Sequence, residues 1–158
     1  MQKIVTNLWF DGQVEEALEL YTSLFADSRV TRILRYAEGG MGNPGDIMTA
    51  EFELARQEFC IINGGPHYKL SPAMSLLVHC ADQAEVDRLW ERLTADGGEE
   101  GQCGWLTDRF GVSWQITPVA LGEMLNSSDS AAVERVTAAF LQMKKLDVPA
   151  LEKAFRGE

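Results

Sequence analysis

Within Gly104–Pro118 the chain reads Gly104-Trp105-Leu106-Thr107-Asp108-Arg109-Phe110-Gly111-Val112-Ser113-Trp114-Gln115-Ile116-Thr117-Pro118. Two of the four tryptophans fall here, beside one aspartate, one arginine and one glutamine. Rigid aromatic walls with a few polar ends suit a pocket for a small organic molecule. Asp108 has the chemistry of a general acid or base, and Arg109 that of a clamp on an anionic substrate. His79 and Glu51, each inside a strand-like run, are the other acid–base candidates. The same segment also suits a plain sheet edge with its aromatics in the core. An adjacent Asp-Arg pair is equally suited to a solvated turn.

The elements that must position these residues follow from periodicity. Gly104–Pro118 reads as a hairpin: an apolar strand, a polar corner, a glycine able to take φ > 0, and a second strand stopped by proline. Upstream, Lys3–Phe10 is a strand, and Val14, Ala17, Leu18, Tyr21, Leu24 and Phe25 mark one face of a helix. Arg29–Tyr36, Ile47–Leu54 and Glu58–Asn63 are strands, with a glycine-rich loop at Ala37–Asp46. The order strand, helix, strand, strand, strand then recurs. Met74–Cys80 is a strand, and Asp82 and Glu85 approximate a capping box. Val86, Leu89, Trp90 and Leu93 form a helical stripe ended by Gly97-Gly98. A short strand near Glu99–Gly101 precedes the hairpin. Sliding one half on the other by 69 residues sets Thr6 on Ser75 and Gln13 on Asp82. Trp9 and Trp90 read as core residues. After Pro118 the pattern is helical, at Val119–Leu125, along Ala132, Val133, Val136, Phe140 and Met143 with Lys144 and Lys145 at the end, and from Asp147 onward.

The chain is 158 residues with a net charge of −10. One domain of this length builds a core without metal or disulfide staples. We divide it into module one at 1–66, module two at 71–118 and a helical extension at 119–158. The negative charge and the lack of a basic stripe argue against nucleic acid and anionic membranes as partners. No apolar run reaches membrane-spanning length. A start without signal-peptide architecture leads us to expect a cytoplasmic protein. Cys60, Cys80 and Cys103 form no metal-type pair, and their odd number argues against a disulfide framework.

Several motifs together resemble one family. They are Phe10-Asp11-Gly12, Glu15-Glu16-Ala17-Leu18 with Tyr21, Ile62-Asn63-Gly64-Gly65-Pro66, Glu85–Trp90, Gly104-Trp105-Leu106 and Asp108–Pro118. The chain is identified by them as similar to the PhnB-like branch of the vicinal oxygen chelate superfamily. That branch is often labelled 3-demethylubiquinone-9 3-methyltransferase, and is related in fold to glyoxalase I, bleomycin-resistance proteins and extradiol dioxygenases. The resemblance runs from about Lys3 to Ala154. It implies an α+β fold of paired βαβββ modules forming a partly open, glyoxalase-like barrel, usually in a homodimer.

The superfamily holds a divalent metal on His and Glu from its strands. Laid on this chain, that pattern puts Thr6, Ser75 and Gln115 at ligand positions, with the fourth in Ile61–Asn63. Hydroxyls and carboxamides are poor ligands for a first-row ion, and neither His67 nor His79 restores the set. We therefore expect no metal and no other cofactor. Methyl transfer also lacks its device: Gly39-Gly40-Met41-Gly42 leads into a strand, not into a helix N-terminus. The expected function is a barrel binding a small organic ligand through Thr6, Asn63, Ser75, Trp105, Arg109, Trp114 and Gln115. The alternative is a metal-independent enzyme using Asp108, His79 or Glu51.

Overall fold

A computed structural model of the chain describes residues 2–158. It contains two compact units, one ending at Leu70 and the other Ser71–Glu158, so the helical extension shares the second unit with the second module. Both units are α+β.

In the first unit, β1 (Thr6–Phe10), α1 (Val14–Leu24), β2 (Arg29–Arg35), β3 (Ile47–Leu54) and β4 (Gln57–Asn63) follow the expected order. The sheet order is β1-β4-β3-β2, with β1 parallel to β4 and the other pairs antiparallel. Side chains on a strand alternate between faces. Leu8, Phe10, Ala50, Phe52, Phe59 and Ile61 are all buried on one face. The buried stripe of α1 (Val14, Ala17, Leu18, Tyr21, Leu24) packs on this unit's strands. The 37–46 loop closes the β2–β3 hairpin. Tyr36 N–H donates to Asp46 O at 2.9 Å, and Gly45 N–H donates to Tyr36 O at 3.0 Å.

The second unit repeats the plan. β5 (Leu76–Cys80), α2 (Gln83–Thr94), β6 (Glu99–Glu100), β7 (Trp105–Thr107) and β8 (Ser113–Pro118) form a sheet of order β5-β8-β7-β6, with β5 parallel to β8. Asp82 caps α2 as expected, its carboxylate accepting from Glu85 N–H at 2.9 Å. The Glu85 side chain reaches back to Ala81 N–H at 2.8 Å, one residue before the usual capping-box partner. Trp90 is 4% exposed and donates to Glu100 at 2.8 Å.

Two expectations are corrected. The 69-residue repeat holds for the helices but not for the strands. The parallel registers pair Thr6 with Phe59 and Leu76 with Trp114, so Thr6 corresponds to Leu76, not to Ser75. The cause is one extra residue between β1 and α1, where Gln13 takes a left-handed φ of 55°. A one-residue slip turns every side chain of a strand to the other face.

The second correction concerns the extension, α3 (Val119–Leu125), α4 (Ser130–Phe140) and α5 (Val148–Arg156). Met143, Lys144 and Lys145 lie beyond α4, not at its last turn. Here the Met143 and Lys144 carbonyls accept from Cys103 and Gly104 N–H, each at 2.7 Å. Lys145 pairs with Asp87 at 2.5 Å, and Lys144 with Glu100 at 3.6 Å. Gln83 completes the docking, donating to Leu146 O and accepting from Val148 N–H. Leu121, Val136, Leu146 and Leu151 form the apolar centre of this cluster.

Cys80 is fully buried beneath α2. Burial first, and the Glu85 carboxylate second, push its thiol from 9.0 up to about 12. The folded chain therefore keeps a proton that the unfolded chain releases near pH 9. The stabilisation is complete below that pH and is lost as pH rises toward 12. The unfolding free energy from urea titrations should fall between pH 9 and 11 by on the order of a few kcal/mol. Cys80→Ala should flatten that decline, and an unchanged slope in the variant would contradict the assignment.

Candidate functional site

The β7–β8 hairpin is organised by one carboxylate. Asp108 follows β7 and is 3% exposed. Its Oδ1 accepts from Phe110 N–H at 2.9 Å and Val112 N–H at 3.0 Å, and its Oδ2 from Trp114 Nε1–H at 2.9 Å. The backbone closes the same corner, Asp108 N–H to Val112 O and Gly111 N–H to Asp108 O. Gly111 sits at φ +92°, the conformation that a glycine supplies without strain. The solvated-turn reading of Asp108 is thus overturned. Arg109 turns away from it, pairing with Asp96 at 3.0 Å with its guanidinium 4.8 Å from the Phe110 ring centroid.

Alternation then sorts the hairpin into two faces. Leu106, Trp114 and Ile116 are 2%, 1% and 0% exposed and share the α2 side with Cys80. Trp105, Thr107, Ser113, Gln115 and Thr117 occupy the opposite, far face, with Trp105 paired to Gln115 and Thr107 to Ser113. From β5, Leu77 lies beside Gln115 and His79 beside Thr117. Ser75, just before β5, reaches this face too: Gln115 Nε2–H donates to Ser75 Oγ at 2.8 Å.

The structure therefore brings Ser75, Trp105, Gln115 and His79 onto one face. Trp114 is on the other, held by Asp108. In the first unit, Thr6 shares the helix-covered face of Leu8 and Phe10. Asn63 ends β4, where its Oδ1 accepts from Gly12 N–H at 2.9 Å and its Nδ2 donates to Ile47 O at 3.1 Å. Glu51 is exposed on the far face of the first sheet, 3.5 Å from Arg32 and beside Cys60 in register. A hollow of about 310 Å³ there is lined by Val5, Glu51, Phe52, Glu58, Phe59 and Cys60. Burial and the Glu51 and Glu58 carboxylates raise the Cys60 thiol pKa. A second hollow, about 600 Å³, lies beside His79, Thr117, Val119, Glu123 and Asn126. Among the described residues no group of three or more His, Cys, Asp or Glu is arranged to hold a metal ion.

Sequence reasoning missed Thr107 and Ser113 on the site face. The signal was there, since Ser113 precedes Gln115 by two and must share its side of the sheet.

The family model described as 3-demethylubiquinone-9 3-methyltransferase matches residues 2–117. A PhnB protein from Bacillus cereus is 40% identical over 74% of this chain and 99% of its own, with a TM-score of 0.70. A protein from Pseudomonas aeruginosa, 22% identical over 75% of this chain and 98% of its own, shares the fold with a TM-score of 0.61. None of the curated proteins compared with the chain matches it.

The Asp108 network sets a stability order. Asp108→Ala strands Val112 N–H and Trp114 Nε1–H in a buried corner and should cost about 3 kcal/mol or more. Trp114→Phe keeps most of the ring but leaves the carboxylate one donor short, at a cost of about 1–3 kcal/mol. Arg109→Ala breaks a half-exposed pair worth less than about 1 kcal/mol. Urea unfolding of the three variants checks the order. Equal losses in Asp108→Ala and Arg109→Ala would remove Asp108 from its central place.

Proposed function

The chain belongs to the PhnB-like, 3-demethylubiquinone-9 3-methyltransferase family, and on that premise we propose that it binds a small organic ligand without a metal ion. The site is the far face of β5, β7 and β8. The observation that carries this reading is the Gln115–Ser75 hydrogen bond beside Trp105. It supplies an aromatic platform next to a carboxamide whose orientation is fixed by a neighbouring hydroxyl. Gln115 still has its Oε1 to accept from a ligand, and the Ser75 hydroxyl proton is still available to donate.

The donor set supports metal independence. A hydroxyl and a carboxamide carry no charge and bind first-row divalent ions weakly. Of the three acid–base candidates only His79 lies on this face, so binding has more support than a catalytic pair. The Asp108 carboxylate is engaged by the hairpin, and Glu51 is exposed against Arg32. The methyl transfer in the family's description finds no support in the glycine-rich loop, which joins β2 to β3 rather than a strand to a helix. We take the protein to act as a homodimer in the cytoplasm. The exposed Val30, Ile33 and Leu34 of edge strand β2 support a self-contact, and three cysteines without a disulfide suit a reducing compartment.

Titration with 2-naphthol, a neutral flat ring, followed by ¹⁵N–¹H NMR, tests the site. The Trp105 indole and Gln115 side-chain amide signals should move, and those of the Trp90 and Trp114 indoles should stay. Trp105→Ala should weaken binding by about tenfold, the loss expected for one aromatic contact. Shifts confined to other residues, with affinity intact in Trp105→Ala, would refute the assignment.

A further inference from the structure

Ser113 is 3% exposed, and its Oγ has no hydrogen-bond partner among the described residues. Buried hydroxyls are almost always paired, because an unpaired one has lost its water and gained nothing in return. Packing does not require the oxygen, since alanine would fill the same backbone position. Each of the other polar side chains discussed for this hairpin has a partner or partial exposure, so the orphan is specific to this position.

Its neighbours indicate what the oxygen is for. Ser113 sits in the middle of the far face, paired across to Thr107 on one side. On the other side the parallel register, which matches Leu76 to Trp114, brings Ser75 alongside. Thr107 on β7, Ser113 on β8 and Ser75, just before β5, thus form a row of hydroxyls. The adjacent row is Trp105, Gln115 and Leu77. Neither row contains a charged side chain. The nearest charge in register is Glu99, exposed beyond Thr107 at the sheet edge, which would repel an anion. Arg109 is held at the corner by Asp96.

We infer that Ser113 anchors the ligand by hydrogen-bonding an oxygen on its ring, so that the ligand class is a neutral ring bearing a hydroxyl or carbonyl group. The ring lies against Trp105 and Leu77, and its oxygen meets the hydroxyl row. This rests on the far face being the binding site, as proposed above.

A pair of probes separates the two ideas. Naphthalene and 2-naphthol present the same ring and differ by one hydroxyl. Wild-type protein should bind 2-naphthol about five- to tenfold more tightly, the contribution of one neutral hydrogen bond. Ser113→Ala should cut that preference to about twofold or less without lowering the melting temperature, and Ser113→Cys, a weaker partner, should fall between, with Ser75 and Gln115 accounting for what remains. If Ser113→Ala keeps the full preference while both probes still shift the Trp105 indole, the inference about Ser113 fails and the binding face stands. If neither probe shifts Trp105 in the wild type, the face itself is wrong and the inference falls with it.

Discussion

The Asp108 carboxylate is the interaction on which the second sheet depends. It lies in a corner too dry to leave a charge unpaired, and the hairpin closes around it with Phe110 N–H, Val112 N–H and the Trp114 indole. A buried carboxylate is stable only when donors replace its lost water. Meeting that requirement fixes where Trp114 must be. With Trp114 on the α2 side, the register of β8 is set, and a one-residue slip would carry Gln115 into the core.

Everything on the far face follows from this register. Ser113, Gln115 and Thr117 share that face because Trp114 and Ile116 share the other. The β7 pairing then sets Trp105 beside Gln115, and the β5 pairing sets Leu77 on its other side. The extension secures the same hairpin at its base. Gly104 N–H donates to Lys144 O while Gly104 O accepts from Ile116 N–H. A side chain at Gly104 would press on the Ile116 carbonyl oxygen, at 2.9 Å, and on Leu146, and the φ of +83° would strain it as well. The C-terminal extension therefore helps hold the face through its backbone.

Much of this was legible in the residues, for identifiable reasons. The stripes of α1 and α2 and the alternation in β3 and β8 are strong periodic signals, and the doubled βαβββ order follows from them. What the pattern hid depends on single-residue geometry. The left-handed Gln13 absorbs one residue between β1 and α1, so helices aligned at 69 leave the strands out of step. Thr6 therefore falls on the helix side while Ser75 faces away. Asp108 beside Arg109 looks like a solvated pair until Trp114, six residues on, claims the carboxylate. Asn63, with the look of a pocket residue, is engaged by Gly12 N–H and Ile47 O at the end of its strand. Ser113 carried no local signal beyond its parity with Gln115.

The central claim is that this sheet face takes an organic ligand where related chemistry would use a metal. Native mass spectrometry of protein purified without chelator or affinity metal tests it directly. The account predicts a species at twice the 17.5 kDa chain mass, free of divalent ions and carrying an organic adduct that Gln115→Ala loses. One tightly held divalent ion per chain, released only by a chelator, would contradict it.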